Sequence, residues 1–199
     1  MKKTLVALCV AAGMVGTASA ADVQLYGLIN TGLGYVHTHS DVAGVANTDT
    51  LSMDNGQEFG SRWGLRGGEN LGNGYKVSFV LESGFESDTG LSDTKQNGRL
   101  FGREASVHVA GKYGTLYAGR EGKLISTSGA AAMGGIFSPF SVLWGDAGIK
   151  AQTGTDWGRI DNSLTYVSPS FSGLEIRAQY SFKNDGGKTG DENSSDVDR

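Results

Sequence analysis

The sequence predicts an all-β fold in which antiparallel, up-and-down strands form a wall that crosses a membrane. Three observations predict it: two segments alternate apolar and polar residues almost without interruption, the connections alternate short and long, and glycine is abundant (32 of 199) while proline occurs twice. From Leu174 to Lys183, Leu174, Ile176, Ala178, Tyr180 and Phe182 alternate with Glu175, Arg177, Gln179, Ser181 and Lys183. From Tyr75 to Glu86, Tyr75, Val77, Phe79, Leu81 and Phe85 face away from Lys76, Ser78, Glu82 and Glu86. Successive side chains of a strand point to opposite faces, so each segment has one greasy and one charged face. At roughly 3.3 Å per residue, about ten such residues make a tilted crossing of a bilayer. Inside lipid only helices and closed barrels satisfy their own backbone, so a strand of this kind belongs to a barrel wall.

Residues 1–20 read as a secretory signal peptide. Lys2 and Lys3 form a basic start, Leu5–Gly16 is a short apolar core, and Ala18-Ser19-Ala20 is a small-residue cleavage site. That core is too short for a transmembrane helix, and no later apolar stretch is longer. Cys9 is the only cysteine, so the mature chain uses neither disulfides nor a thiol nucleophile. The formal charge of −4 becomes −6 once Lys2 and Lys3 are removed, and no basic face points to nucleic acid.

Seven strands are expected, at Val23–Val36, Ser61–Glu69, Tyr75–Glu86, Leu100–Gly111, Thr115–Glu121, Arg159–Ser168 and Leu174–Lys183. The gaps at 70–74, 112–114 and 169–173 are tight turns of Gly, Asn and Ser. Those at 37–60, 87–99 and 122–158 are long, as is the polar stretch after Lys183. In an up-and-down sheet every second connection lies at the same end. Short turns at one end and long loops at the other are the layout of an outer-membrane barrel. The fifth strand is awkward: placing Arg120 inside also puts Leu116 and Ala118 inside unless a bulge intervenes.

Several motifs, in order along the chain, resemble the general porins of Gram-negative bacteria, especially the β-proteobacterial type. They are Ala21-Asp22-Val23-Gln24-Leu25-Tyr26-Gly27, Ser61-Arg62-Trp63-Gly64-Leu65-Arg66-Gly67, Gly114-Thr115-Leu116-Tyr117-Ala118-Gly119-Arg120, and Asp161-Asn162-Ser163-Leu164-Thr165-Tyr166 followed by Ser168-Pro169. The resemblance implies a sixteen-stranded trimeric barrel that lets small hydrophilic solutes and ions diffuse across the cell outer membrane. It implies no cofactor. The family chain is nearly twice as long and ends in an aromatic residue, whereas this one ends at Arg199. Residues 21–199 are therefore expected to be the N-terminal part of a porin β-barrel.

Such a protein performs no chemistry, so function should lie in lumen-facing charges and in whatever narrows the pore. The resemblance points to the connection 122–158 as the loop that folds inward, and a loop of that length is commonly functional. Its middle carries Phe137, Pro139, Phe140, Val142, Leu143 and Trp144, followed by Asp146. Opposite, the resemblance implies wall arginines at Arg62 and Arg120, with Arg159 a looser fit to the motif. Acidic and basic groups facing across a narrow passage make a transverse field that orients polar solutes. Parity adds Arg66, Lys76, Glu82, Glu104, His108, Asp161, Glu175 and Arg177 to the lumen. With both signs present, anion or cation preference is not legible.

Tyr26, Tyr35, Tyr75, Tyr166 and Tyr180 lie near strand ends, where aromatic girdles form. His37, His39 and Asp41 lack a fourth ligand, so no metal site is assigned. Asp185, Asp191, Glu192, Asp196 and Asp198 could bridge cations to lipopolysaccharide or simply be solvated. Two functional readings stand: a passive channel, and a structural or adhesive barrel with a plugged lumen. No Gly-x-Ser-x-Gly motif and no credible triad support an enzyme.

Overall fold

Alternation is the local signal, and it builds the strands. The computed structural model describes residues 22–42, 44, 46–56, 59–92, 98–126, 128–133 and 158–182. Among them are nine strands: β1 (Gln24–Leu28), β2 (Thr31–Thr38), β3 (Thr48–Asn55), β4 (Arg62–Gly72), β5 (Tyr75–Gly84), β6 (Glu104–Gly111), β7 (Gly114–Gly122), β8 (Arg159–Val167) and β9 (Arg177–Ser181). Every pairing is antiparallel. The seven-stranded sheet runs β1-β4-β5-β6-β7-β8-β9, and β2 and β3 form a separate two-stranded sheet.

The expected first strand, Val23–Val36, is divided. β1 pairs with β4, β2 pairs with β3, and the chain breaks at Ile29–Asn30. Asn30 explains the break, because its backbone is claimed by side chains and by a turn. Its N–H donates to Ser61 Oγ at 3.0 Å, and its carbonyl accepts from Gly56 N at 2.9 Å and Ser87 Oγ at 3.0 Å. Strand β3 was missed altogether inside the gap 37–60. Its signal was short: Leu51 and Met53 alternate with Ser52 and Asp54 in an Asp- and Asn-rich setting that reads as loop. The long connection there shrinks to 39–47, yet long and short connections still alternate around the sheet.

Two other boundaries move. β6 begins at Glu104 rather than Leu100, because Arg103 N–H pairs with Glu82 O at 3.1 Å while residues 98–101 form turns around Gly98. β9 is confined to Arg177–Ser181; Leu174 is drawn into the preceding turn by its bridge to Phe171.

Polarity is inverted relative to a water-soluble domain. The buried side chains include Glu104, Ser106, His108, Glu121, Asp161, Ser163 and Thr165, and Ala131 is the one buried apolar residue among those described. Leu33, Leu51, Val107, Val109, Leu116, Leu164, Ile176 and Tyr180 are exposed. Soluble proteins bury such side chains and rarely leave large contiguous apolar surfaces. A sheet with polar residues packed on one face and apolar ones bare on the other is built for hydrocarbon outside and water inside.

The fifth-strand conflict is resolved by a bulge. The β7–β8 register shifts between Gly119 and Glu121, and Gly119 has φ 133°. Leu116 and Ala118 stay on the apolar face, while Arg120 and Glu121 both reach the polar one. A Cβ at Gly119 would stand 2.2 Å from Ala105 O, so only glycine makes this turn without strain.

Candidate functional site on the polar face

The expected wall arginines Arg62, Arg120 and Arg159 come from β4, β7 and β8. Two of them meet at Gly102–Arg103, immediately before β6: Arg120 Nε donates to Gly102 O at 2.8 Å and Arg159 Nε to Arg103 O at 2.5 Å. Arg62 Nε donates to Gly60 O at 3.0 Å, and Arg62 joins the others through Glu82, which Arg103 also reaches.

Two carboxylates anchor the cluster. Glu82 on β5 accepts from Arg103 Nε at 2.7 Å and from the Tyr26 hydroxyl at 2.9 Å, with Arg62 Nη1 at 3.9 Å. Asp161 on β8 accepts from Arg99 Nη2 at 2.7 Å and, on its other oxygen, from Arg120 Nη1. These side chains are 8% to 23% exposed, so they are partly desolvated and held by charge-assisted bonds. Arg99 and Arg103 escaped the sequence reading. Arg99 lay in an expected loop, and Arg103 stood in the expected strand Leu100–Gly111 without a role of its own. The local irregularity before β6 turns Arg103 inward.

Glu121 was also missed. It is fully buried; its Oε1 accepts from Ser163 Oγ at 3.0 Å and Thr165 Oγ1 at 2.5 Å, while Oε2 has no partner. The hydroxyls come from β8, and Thr165 in turn accepts from Gln179 Nε2 at 2.9 Å. Next to this group, the described residues that open the long connection, 123–126 and 128–133, lie back on the polar face. Gln179 Oε1 accepts from Leu124 N at 3.2 Å, and Arg177 Nη1 donates to Ala131 O at 2.7 Å. Asp146 and the apolar middle of that connection lie outside the described residues, as do the signal segment and the acidic stretch 185–198.

The other lumen-assigned residues occupy the polar face at different depths. Glu104 accepts from Ser106 Oγ at 2.9 Å and lies 3.8 Å from His108 Nε2. The His108 ring rests against Tyr117 with 4.5 Å between centroids. Glu175 pairs with Arg177 at 2.5 Å. Arg66 donates to Gln24 Oε1 at 2.8 Å and covers the Tyr26 ring at 5.1 Å; Lys76 is exposed on β5. Tyr26 thus lies on the polar face, its hydroxyl on Glu82: a Cβ at Gly64, its cross-strand neighbour, would stand 2.8 Å from the Tyr26 ring. Tyr35, Tyr166 and Tyr180 are exposed, as a girdle requires. His37 and His39 go to different carboxylates, Asp49 and Asp41.

An inward polar face, a bare apolar face and arginines gathered beside long connections are the parts of a channel wall. The sequence matches the Gram-negative porin family over residues 4–199. The chain belongs to that family. An outer membrane porin protein of Bordetella pertussis is 40% identical over 193 residues, covering 92% of this chain and 48% of that protein. Outer membrane porin protein 32 of Delftia acidovorans is 31% identical over 186 residues, covering 92% and 50%. Among solved structures, an anion-selective porin from Comamonas acidovorans superposes with a TM-score of 0.56 at 28% identity, covering 82% of this chain and 47% of that one. The porin family and these relatives place the protein in the outer membrane. The chain spans about half the length of the curated porins it matches.

Proposed function

We propose that this chain forms part of the wall of a water-filled channel for passive diffusion of small hydrophilic solutes and ions. The observation that carries the reading is the inverted polarity: buried Glu, Asp, His, Ser and Thr on one face and exposed Leu, Val, Ile and Tyr on the other. Arg62, Arg120 and Arg159 act in the constriction, together with Arg99 and Arg103, and Asp146 serves as the facing carboxylate. Arginine outnumbers acid in this cluster, and fixed guanidinium groups in a narrow, partly dehydrated passage attract anions. The similar porin from Comamonas acidovorans is anion-selective, which supports the same preference. Outer-membrane lipid covers the apolar face, lipopolysaccharide meets the long connections, and the working unit is a homotrimer. No residue acts as an acid, base or nucleophile.

Planar-bilayer recordings under a salt gradient test this reading. Arg62→Ala and Arg120→Ala should each lower anion over cation permeability while an open channel remains. An unchanged reversal potential in both variants removes the constriction role. Absence of any conductance from the native protein would favour the plugged, structural barrel.

A further inference from the structure

The polar face carries a second basic region at the opposite end, beside the short turns. A cleft of about 610 Å³ there has Asp22, Gln24, Arg66, Lys76, Ser78 and His108 among its lining residues. Register explains how they meet. Gln24 pairs with Arg66, Gly68 with Ser78, and Ser78 with His108. Arg66, Gly68, Lys76 and Ser78 therefore share one face of adjacent strands, with a glycine between the two cations.

Gly68 makes room for its neighbours: a Cβ there would meet Ser78 Cβ at 3.0 Å and Lys76 Cε at 3.1 Å, so the lysine stem lies across the glycine beside the serine. Ser78 Oγ and His108 Nδ1 lie 3.4 Å apart. Neither Arg66 nor Lys76 has a carboxylate within ion-pair distance among the described residues; the arginine spends one N–H on Gln24 Oε1. This differs from Arg62, Arg99, Arg103 and Arg120, whose positive charge meets Glu82 or Asp161.

We propose that Arg66, Lys76 and Ser78, which line this one cleft, form a binding site for an oxyanion of the phosphate class, distinct from the arginine cluster. Two cations supply charge, the planar guanidinium supplies paired N–H donors, and the serine hydroxyl supplies a further one. The site rests on the channel reading for its access to solute, and it accounts for charge that the constriction does not use.

The test separates the two. Inorganic phosphate binding to the detergent-solubilised protein is measured by calorimetry, which requires no conduction, and phosphate block of chloride current is measured in bilayers. Native protein should bind phosphate in the millimolar range or tighter. Lys76→Gln and Arg66→Gln should each weaken binding by roughly tenfold, the value of one charge-assisted contact. Arg62→Gln should shift ion selectivity and leave phosphate binding within about twofold, since additivity holds for separate sites. Sulfate should compete. Equal binding by Lys76→Gln and native protein, or loss of binding in Arg62→Gln alone, would overturn the site. Phosphate binding without any channel current would overturn the channel reading and leave the site standing.

Discussion

The two ends of the polar face handle positive charge in different ways. Beside the long connections, Arg62, Arg99, Arg103 and Arg120 are largely buried and point at Glu82 or Asp161. Beside the short turns, Arg66 and Lys76 meet no carboxylate among the described residues, and Lys76 is exposed. A cation held by several hydrogen bonds in a half-dry setting keeps its place and exerts a field without needing a bound counter-ion. A cation with no internal partner takes its partner from solution. The difference separates filtering from binding along one wall: matched charges at one end steer, unmatched ones at the other hold.

Asp161→Ala is the most damaging way to break this comparison. It leaves Arg99 and Arg120 partly buried without their carboxylate, and removing one partner of such a pair is costly. The expected loss is about 2–3 kcal/mol, discounted because lumen water reaches the arginines. Urea unfolding of protein refolded into lipid vesicles measures it; a loss near zero would mean that the cluster is no more dependent on its acid than the other end.

Gly119→Val tests the bulge that aims Arg120. A side chain at φ 133° meets Ala105 O, so about 1–3 kcal/mol of strain is expected. Because the bulge is also what brings Arg120 to Asp161, ion selectivity should fall with stability. Retained selectivity in a destabilised variant would show that Arg120 finds Asp161 without the bulge.

Lys76→Gln should do least to the fold. It removes an exposed charge with no partner, so its unfolding midpoint should match that of the native protein. A loss comparable to that of Asp161→Ala would collapse the distinction between the two ends.

The wall's outline was legible because alternation is written locally. Val107-His108-Val109 announces its two faces in three residues, and Arg62 with Glu82 and Arg120 with Asp161 form ion pairs on one side of the sheet. The departures came where backbone groups found non-strand partners. Asn30 is held by Ser61 and Ser87, so one expected strand became two. β3 was hidden by Asp and Asn, residues that favour turns when no pairing strand is known. Arg103 went unnoticed because it precedes β6, where parity no longer says which way a side chain turns.

By itself, then, the sequence determined that strands with one greasy face line up in an up-and-down wall, which side of each strand meets water, and where the short and long connections fall. A two-residue period carries that information within each strand and needs no partner to be read. Only the tertiary structure decided which arginine meets which acid, that Glu121 is sealed beneath Ser163 and Thr165, and that Lys76 leans over Gly68 without a carboxylate. Those outcomes depend on register between strands distant in sequence, on one bulge at Gly119 and on the turn before β6. A register shift of one residue would exchange every partner while leaving each strand's own pattern unchanged.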